Sequence, residues 1–102
     1  MSLTITANNN ADKQIWEIKL VGEIDISNAQ NFKKQIEDSL AEVKQNIEID
    51  LSELTYIDST GLGVIIAAHS SMKKDGLGVK VHSAVGGVKK LLTVSNLDKI
   101  LG

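Results

Sequence analysis

A chain of 102 residues with no cysteine, no proline and a net charge of −2 is sized for one domain, residues 1–102, that buries roughly two thirds of its unfolded surface without a disulfide or a metal. Thiolate metal sites are excluded, and two histidines, His69 and His82, are too few for most zinc sites. All eleven cations are lysines, in runs of no more than two, which leaves no electrostatic footprint for direct contact with nucleic acid or anionic lipid.

The opening MSLTITANNN lacks the apolar core of a signal peptide. The longest apolar run, Val64 to Ala68, is far short of the ~20 residues that span a bilayer. The sequence is therefore expected to be cytoplasmic, with no membrane contact and no cofactor. Leu3, Ile5 and Ala7 suggest a short strand. After a polar turn at residues 8–13, Trp16, Ile18 and Leu20 alternate with Glu17 and Lys19, so the two runs predict an antiparallel hairpin. From Ser27 the apolar spacing becomes helical through Ala29, Phe32, Ile36, Leu40 and Val43, ending near Lys44, with Ser27 and Gln30 as a capping box.

NIEIDL then alternates strictly and predicts a strand, followed by a loop, SELTYID. A second helix is expected from about Thr60 to Lys74, closed by the glycine of DGLG. VKVH is a further strand, Ala84 to Val94 returns to helical spacing, and Lys99 to Leu101 is assigned to a last short strand. Strands alternating with helices imply crossovers and a mixed α/β sheet of four to five strands, an N-terminal hairpin followed by parallel pairs. Their polar and apolar alternation puts the helices mainly on one face.

The stretch LTYIDSTGLGVII holds the densest chemistry. Ser59, His69 and Asp58 have the residue types of a serine hydrolase, but ten helical residues separate Ser59 from His69 by roughly 15 Å. The G-x-S-x-G elbow is also missing, so no catalytic role is expected. Gly61 and Gly63 at a strand-to-helix turn suggest an anion cradle, yet the Walker lysine and the third glycine are absent. Two further roles fit the same residues. Ser59 or Thr60 is an N-cap over closely packed glycines, or Ser59 is an exposed hydroxyl where an added phosphate changes charge and not shape.

IDLSELTYIDSTGLGVII resembles the STAS domain of bacterial anti-sigma factor antagonists of the general-stress and sporulation type. GEID at Gly22 to Asp25 resembles the family's acidic turn, and GVKVHSAVGGVKKLLTVSNLDKIL its last strand, amphipathic helix and closing segment. The resemblance implies that Ser59 is a phosphorylation site and that Asp25, Asp58, Ser59, Thr60, Gly61, Leu62 and Gly63 meet a partner.

That partner is implied to be an anti-sigma factor that is also a serine kinase, with a PP2C-type phosphatase resetting the switch. The resemblance also implies a bacterial regulator of transcription that is not an enzyme. Carboxylates at Asp25 and Asp58 are expected to repel an added phosphate and to orient the Ser59 hydroxyl beforehand, unless their role is turn and cap chemistry. Asn96 stands where the family often has glycine and tolerates the same left-handed turn. The alternative within the family is a scaffold or small-ligand module, for a nucleotide or lipid, without a phosphoswitch.

Overall fold

The computed structural model describes residues 2–102. Strand β1 (Leu3–Asn10) pairs antiparallel with β2 (Ile15–Ile24), and β3 (Asn46–Ile57) and β4 (Val79–His82) follow in parallel, giving the order β1-β2-β3-β4. Helix α1 (Ala29–Glu42) crosses from β2 to β3, and α2 (Ser59–Met72) crosses from β3 to β4 through a single 3₁₀ turn. Helices α3 (Gly86–Val94) and α4 (Leu97–Leu101) close the chain.

The alternation in the strands decides which sheet face is covered. Trp16, Ile18, Leu20, Ile47, Ile49 and Leu51 are all buried, against Phe32 and Ile36 of α1, Ile65 of α2 and Leu92 of α3. The intervening Glu17, Lys19, Glu48, Asp50, Lys80 and His82 stay exposed or half-buried on the other face, where Lys19 and Glu53 pair across β2 and β3. The glycine expected to close the second helix is Gly76, at φ 72°. His69 serves the fold, because its Nδ1 accepts the backbone N–H of Val79 at 2.9 Å and so satisfies the start of β4.

Four expectations are corrected. The hairpin turn is shorter than residues 8–13, because Asn8, Asn9 and Asn10 stay in register with Glu17, Trp16 and Ile15, and Asn9 accepts from the Gln45 amide. SELTYI is not a loop: β3 continues to Ile57 along β2 with two register shifts. Those shifts put Leu51, Leu54 and Ile57 on the core side at a spacing of three instead of two, which hides the strand from a period-two pattern. The Ser27 capping box does not form, since Ser27 hydrogen-bonds to Asp25 and α1 begins two residues later behind Asn28. The last strand is helix α4, so the sheet has four strands. Asn96, at φ 60°, turns the chain into α4, and Leu101 is buried.

Candidate functional site

Parallel β2 and β3 end side by side, and the Asp58 N–H donates to the Ile24 carbonyl at 3.2 Å. Asp58 is extended and caps α2: its Oδ1 accepts the N–H groups of Thr60 (3.0 Å) and Gly61 (3.1 Å) and the Thr60 hydroxyl. The cap is thus Asp58, ahead of Ser59 and Thr60. The same bonds occupy the N–H groups of Thr60 and Gly61, two of those an anion cradle at this turn would use.

Ser59 is the first residue of α2 and is exposed. Among the described residues no hydrogen bond joins Asp58 to the Ser59 hydroxyl; Asp58 Oδ1 is engaged by Thr60 and Gly61. Thr60 is half-buried, Gly61 and Leu62 are buried, and Gly63 is exposed again. Gly61 and Leu62 therefore seat the helix start, while Ser59 and Gly63 face solvent.

Asp25, just past β2, repeats the arrangement. Its carboxylate accepts the N–H of Ser27 at 2.9 Å and the Ser27 hydroxyl. In both Asp-x-Ser/Thr turns the middle residue is presented outward: Ser59 in one, and in the other Ile26, which is 79% exposed. The Asp58 carboxyl is held below its ordinary range by the Thr60 hydroxyl and then by the backbone N–H groups of Gly61 and Thr60. Ser27 likewise lowers Asp25, against an opposing repulsion from Asp58. Asp25 thus follows the end of β2 and Asp58 the end of β3, the latter next to Ser59.

Asn28 is a structural member of the site that pattern reasoning missed. Its Oδ1 accepts the Asp25 N–H at 3.0 Å and its Nδ2 donates to the Glu23 carbonyl at 2.9 Å, so a buried amide ties the Asp25 turn to β2. An Asn three residues after an Asp, just before a helical repeat, was the available signal. Neither histidine serves Ser59: His69 is bound to Val79 at the far end of α2, and His82 meets Ser83 on the open sheet face. Among the described residues, no cluster of three metal-binding side chains occurs and no helix is long and apolar enough to cross a membrane.

A STAS family model, described as Mlab, STAS domain, matches residues 8–102. The anti-sigma-B factor antagonist of Listeria monocytogenes serovar 1/2a is 32% identical over 87 residues, which cover 83% of this chain and 75% of the relative. That of Bacillus subtilis (strain 168) is 29% identical over 85 residues, 83% of this chain and 77% of the relative. The crystal structure of a candidate anti-sigma factor antagonist from Thermotoga maritima superposes with a TM-score of 0.84 at 30% identity, covering 95% of this chain and 82% of that chain.

Proposed function

Because the chain belongs to the STAS domain family, among its anti-sigma factor antagonists, we propose that it acts as a phosphorylation switch centred on Ser59. The unmodified chain binds an anti-sigma factor that is also a serine kinase, and the sigma factor is released. The kinase transfers the γ-phosphoryl group of ATP to Ser59 Oγ, leaving ADP, and the modified chain dissociates. A PP2C-type phosphatase hydrolyses the phosphoserine and restores the binding form. The chain supplies a substrate hydroxyl and a docking surface around Asp25, Asp58 and Ser59 to Gly63, and catalyses nothing itself.

The observation that supports this reading is an exposed Ser59 on the first turn of a helix whose cap is already provided by Asp58. A phosphate there meets the favourable end of the helix dipole and displaces no fold-holding bond. At an interface built for a neutral hydroxyl, the same dianion must be desolvated and must face Asp58 and Asp25. A penalty of ~3 kcal/mol, modest for a buried unpaired charge, weakens binding by roughly 100-fold.

Calorimetric titration with the anti-sigma factor tests this, together with mass-spectrometric mapping of the phosphate. Ser59→Ala is expected to bind like the unmodified chain, Ser59→Asp weakly and the phosphorylated chain weakest. Equal affinity for the phosphorylated chain and Ser59→Ala, or a phosphate mapped to Thr60 or Ser27, overturns the switch.

A further inference from the structure

Strand β1 is an outer strand of the sheet, and its free edge lacks the usual safeguards. Over Leu3–Asn10 it has no charged residue and no proline, and it keeps an unbroken register with β2 from end to end. Natural edge strands are kept from pairing with other chains by charge, proline, a bulge or short length. The opposite edge has two of these, because β4 is only Val79–His82 and carries Lys80. At the start of the hairpin the Glu23 N–H donates to the Ser2 carbonyl. In the antiparallel register, the even-numbered residues of β1 therefore direct their backbone groups to β2, and Leu3, Ile5, Ala7 and Asn9 direct theirs outward. Among the described residues, no turn or loop backbone group bonds to those four, and the bond from Gln45 reaches only the Asn9 side chain.

We propose that β1 pairs antiparallel with β1 of a second copy of this chain, about a two-fold axis at Thr6. The order of the outward residues identifies the occupant. Leu3, Ile5, Ala7 and Asn9 are spaced evenly about residue 6, so the same strand run in reverse sets Leu3 against the copy's Asn9 and Ile5 against the copy's Ala7, each pair exchanging both of its bonds. All four outward residues of each strand are then satisfied, by about eight bonds, whereas a slip of two residues in either direction leaves one of them opposite no residue of β1. The side chains agree with that register. Half-buried Leu3, Ile5 and Ala7 lie on the core side, where Ile5 meets the copy's Ala7, and exposed Thr4, Thr6 and Asn8 lie on the open face, where Thr6 meets its own copy. No charge within β1 opposes another across the axis. What remains at each end of the joined sheet is the short, lysine-bearing β4 edge, so the assembly closes as a dimer. The pairing uses no residue of the Ser59 turn and does not depend on the switch.

Pairing along one strand edge is a small interface, so the dimer is expected to dissociate on dilution. Sedimentation velocity of the full chain from about 1 μM to about 1 mM should pass from monomer to dimer, and a monomer throughout overturns the proposal. Thr6→Glu places two carboxylates across the axis, while within the chain residue 6 stands opposite Lys19, so the fold is kept and dimerisation should weaken by about 5-fold or more. Mixing Thr6→Glu with Thr6→Lys should restore the dimer through opposite charges. Thr6→Glu pairing as tightly as the parent chain, or a mixture no tighter than either variant alone, overturns the proposal. Because the chain has no cysteine, Thr6→Cys reports the axis directly: residues facing one another in a non-hydrogen-bonded pair lie about 4.5 Å apart at Cα, within disulfide reach. Mild oxidation should link Thr6→Cys into a dimer and leave Thr4→Cys, opposite the copy's Asn8, largely unlinked. Equal linking at the two positions, or none at Thr6→Cys, overturns the proposal.

Discussion

Gly61 lies so close to Ile24 that a Cβ on residue 61 would stand 2.6 Å from Ile24 Cγ2 and 2.8 Å from Ile57 Cγ1. The ends of β2 and β3 thereby set the height of the first turn of α2, and with it the position of Ser59 two residues earlier. At Gly63 a Cβ would meet nothing within 4 Å.

Two alanine substitutions in one helix should therefore act in opposite directions. Gly61→Ala forces Ile24 and Ile57 to move and should cost about 1–3 kcal/mol, outweighing the better helix propensity of alanine. Gly63→Ala meets no obstacle and should stabilise by about 0.4–1 kcal/mol. Urea unfolding of both variants decides it, and shifts of the same sign would show that the Ile24 contact does not restrain residue 61.

The lowered carboxyls of Asp25 and Asp58 give stability a defined pH dependence. With folded values below the unfolded ones, the unfolded chain binds protons first on acidification. The contribution is complete above the ordinary aspartate value of about 3.9 and is lost as pH falls through the lower folded values. Asp58→Asn keeps an acceptor oxygen for Thr60 and Gly61 but has no proton to gain. Its urea midpoint should fall less steeply than that of the parent chain between about pH 5 and pH 3; parallel curves would show that Asp58 does not contribute.

At the β2 end, Asp25 and Asn28 should separate binding from stability. Asp25→Asn retains an oxygen for Ser27, and the bonds to Asn28 and Ala29 use its backbone, so the fold should persist while kinase binding or the phosphorylation rate falls. Thermal collapse would mark Asp25 as structural, and unchanged binding and rate would mark it as a bystander. Asn28→Ala leaves the Asp25 N–H and the Glu23 carbonyl without their partner and should cost about 1–3 kcal/mol in a denaturant titration.

The left-handed turn at Asn96 offers a check remote from Ser59. Asn96→Gly should be tolerated, whereas Asn96→Ala should lose about 1 kcal/mol, because alanine adopts a left-handed backbone at φ 60° less readily than glycine or asparagine. Equal midpoints for the two variants would mean that the turn relaxes at no cost.

Where one face of an element is buried at a single period, its type was legible: Ile47, Ile49 and Leu51 in β3, and Ala29, Phe32 and Ile36 in α1. The pattern failed where tertiary geometry altered the period. The register shifts beside Lys19 and Gly22 move Leu54 and Ile57 onto the core side and disguise the second half of β3. Three residues at the chain's end, Lys99 to Leu101, are too few to distinguish strand from helix, and the bond from the Gly102 N–H to the Asp98 carbonyl marks a helical turn. At the candidate site the motif pointed to a strand-to-helix turn at Asp58 to Gly61, but not to which oxygen caps α2. Ser59, Thr60 and Asp58 are all capable caps, and the extended backbone at Asp58 selects it. The Ser27 box failed by the same competition, because Asp25 lies two residues before Ser27 and takes its hydroxyl and N–H.

The carboxylates of Asp25 and Asp58 also bear on how fast a partner can arrive. Beside α2, Lys33 and Glu37 of α1 are of opposite sign and offset one another at a distance, whereas Asp25 and Asp58 leave the Ser59 end negative. Long-range attraction toward Ser59 therefore comes from these two carboxylates and favours a partner with a cationic surface. Association at this end should slow as ionic strength rises, because salt screens that attraction. A phosphate at Ser59 adds to the same negative end, so it would act on the rate of encounter as well as on the time a partner stays bound.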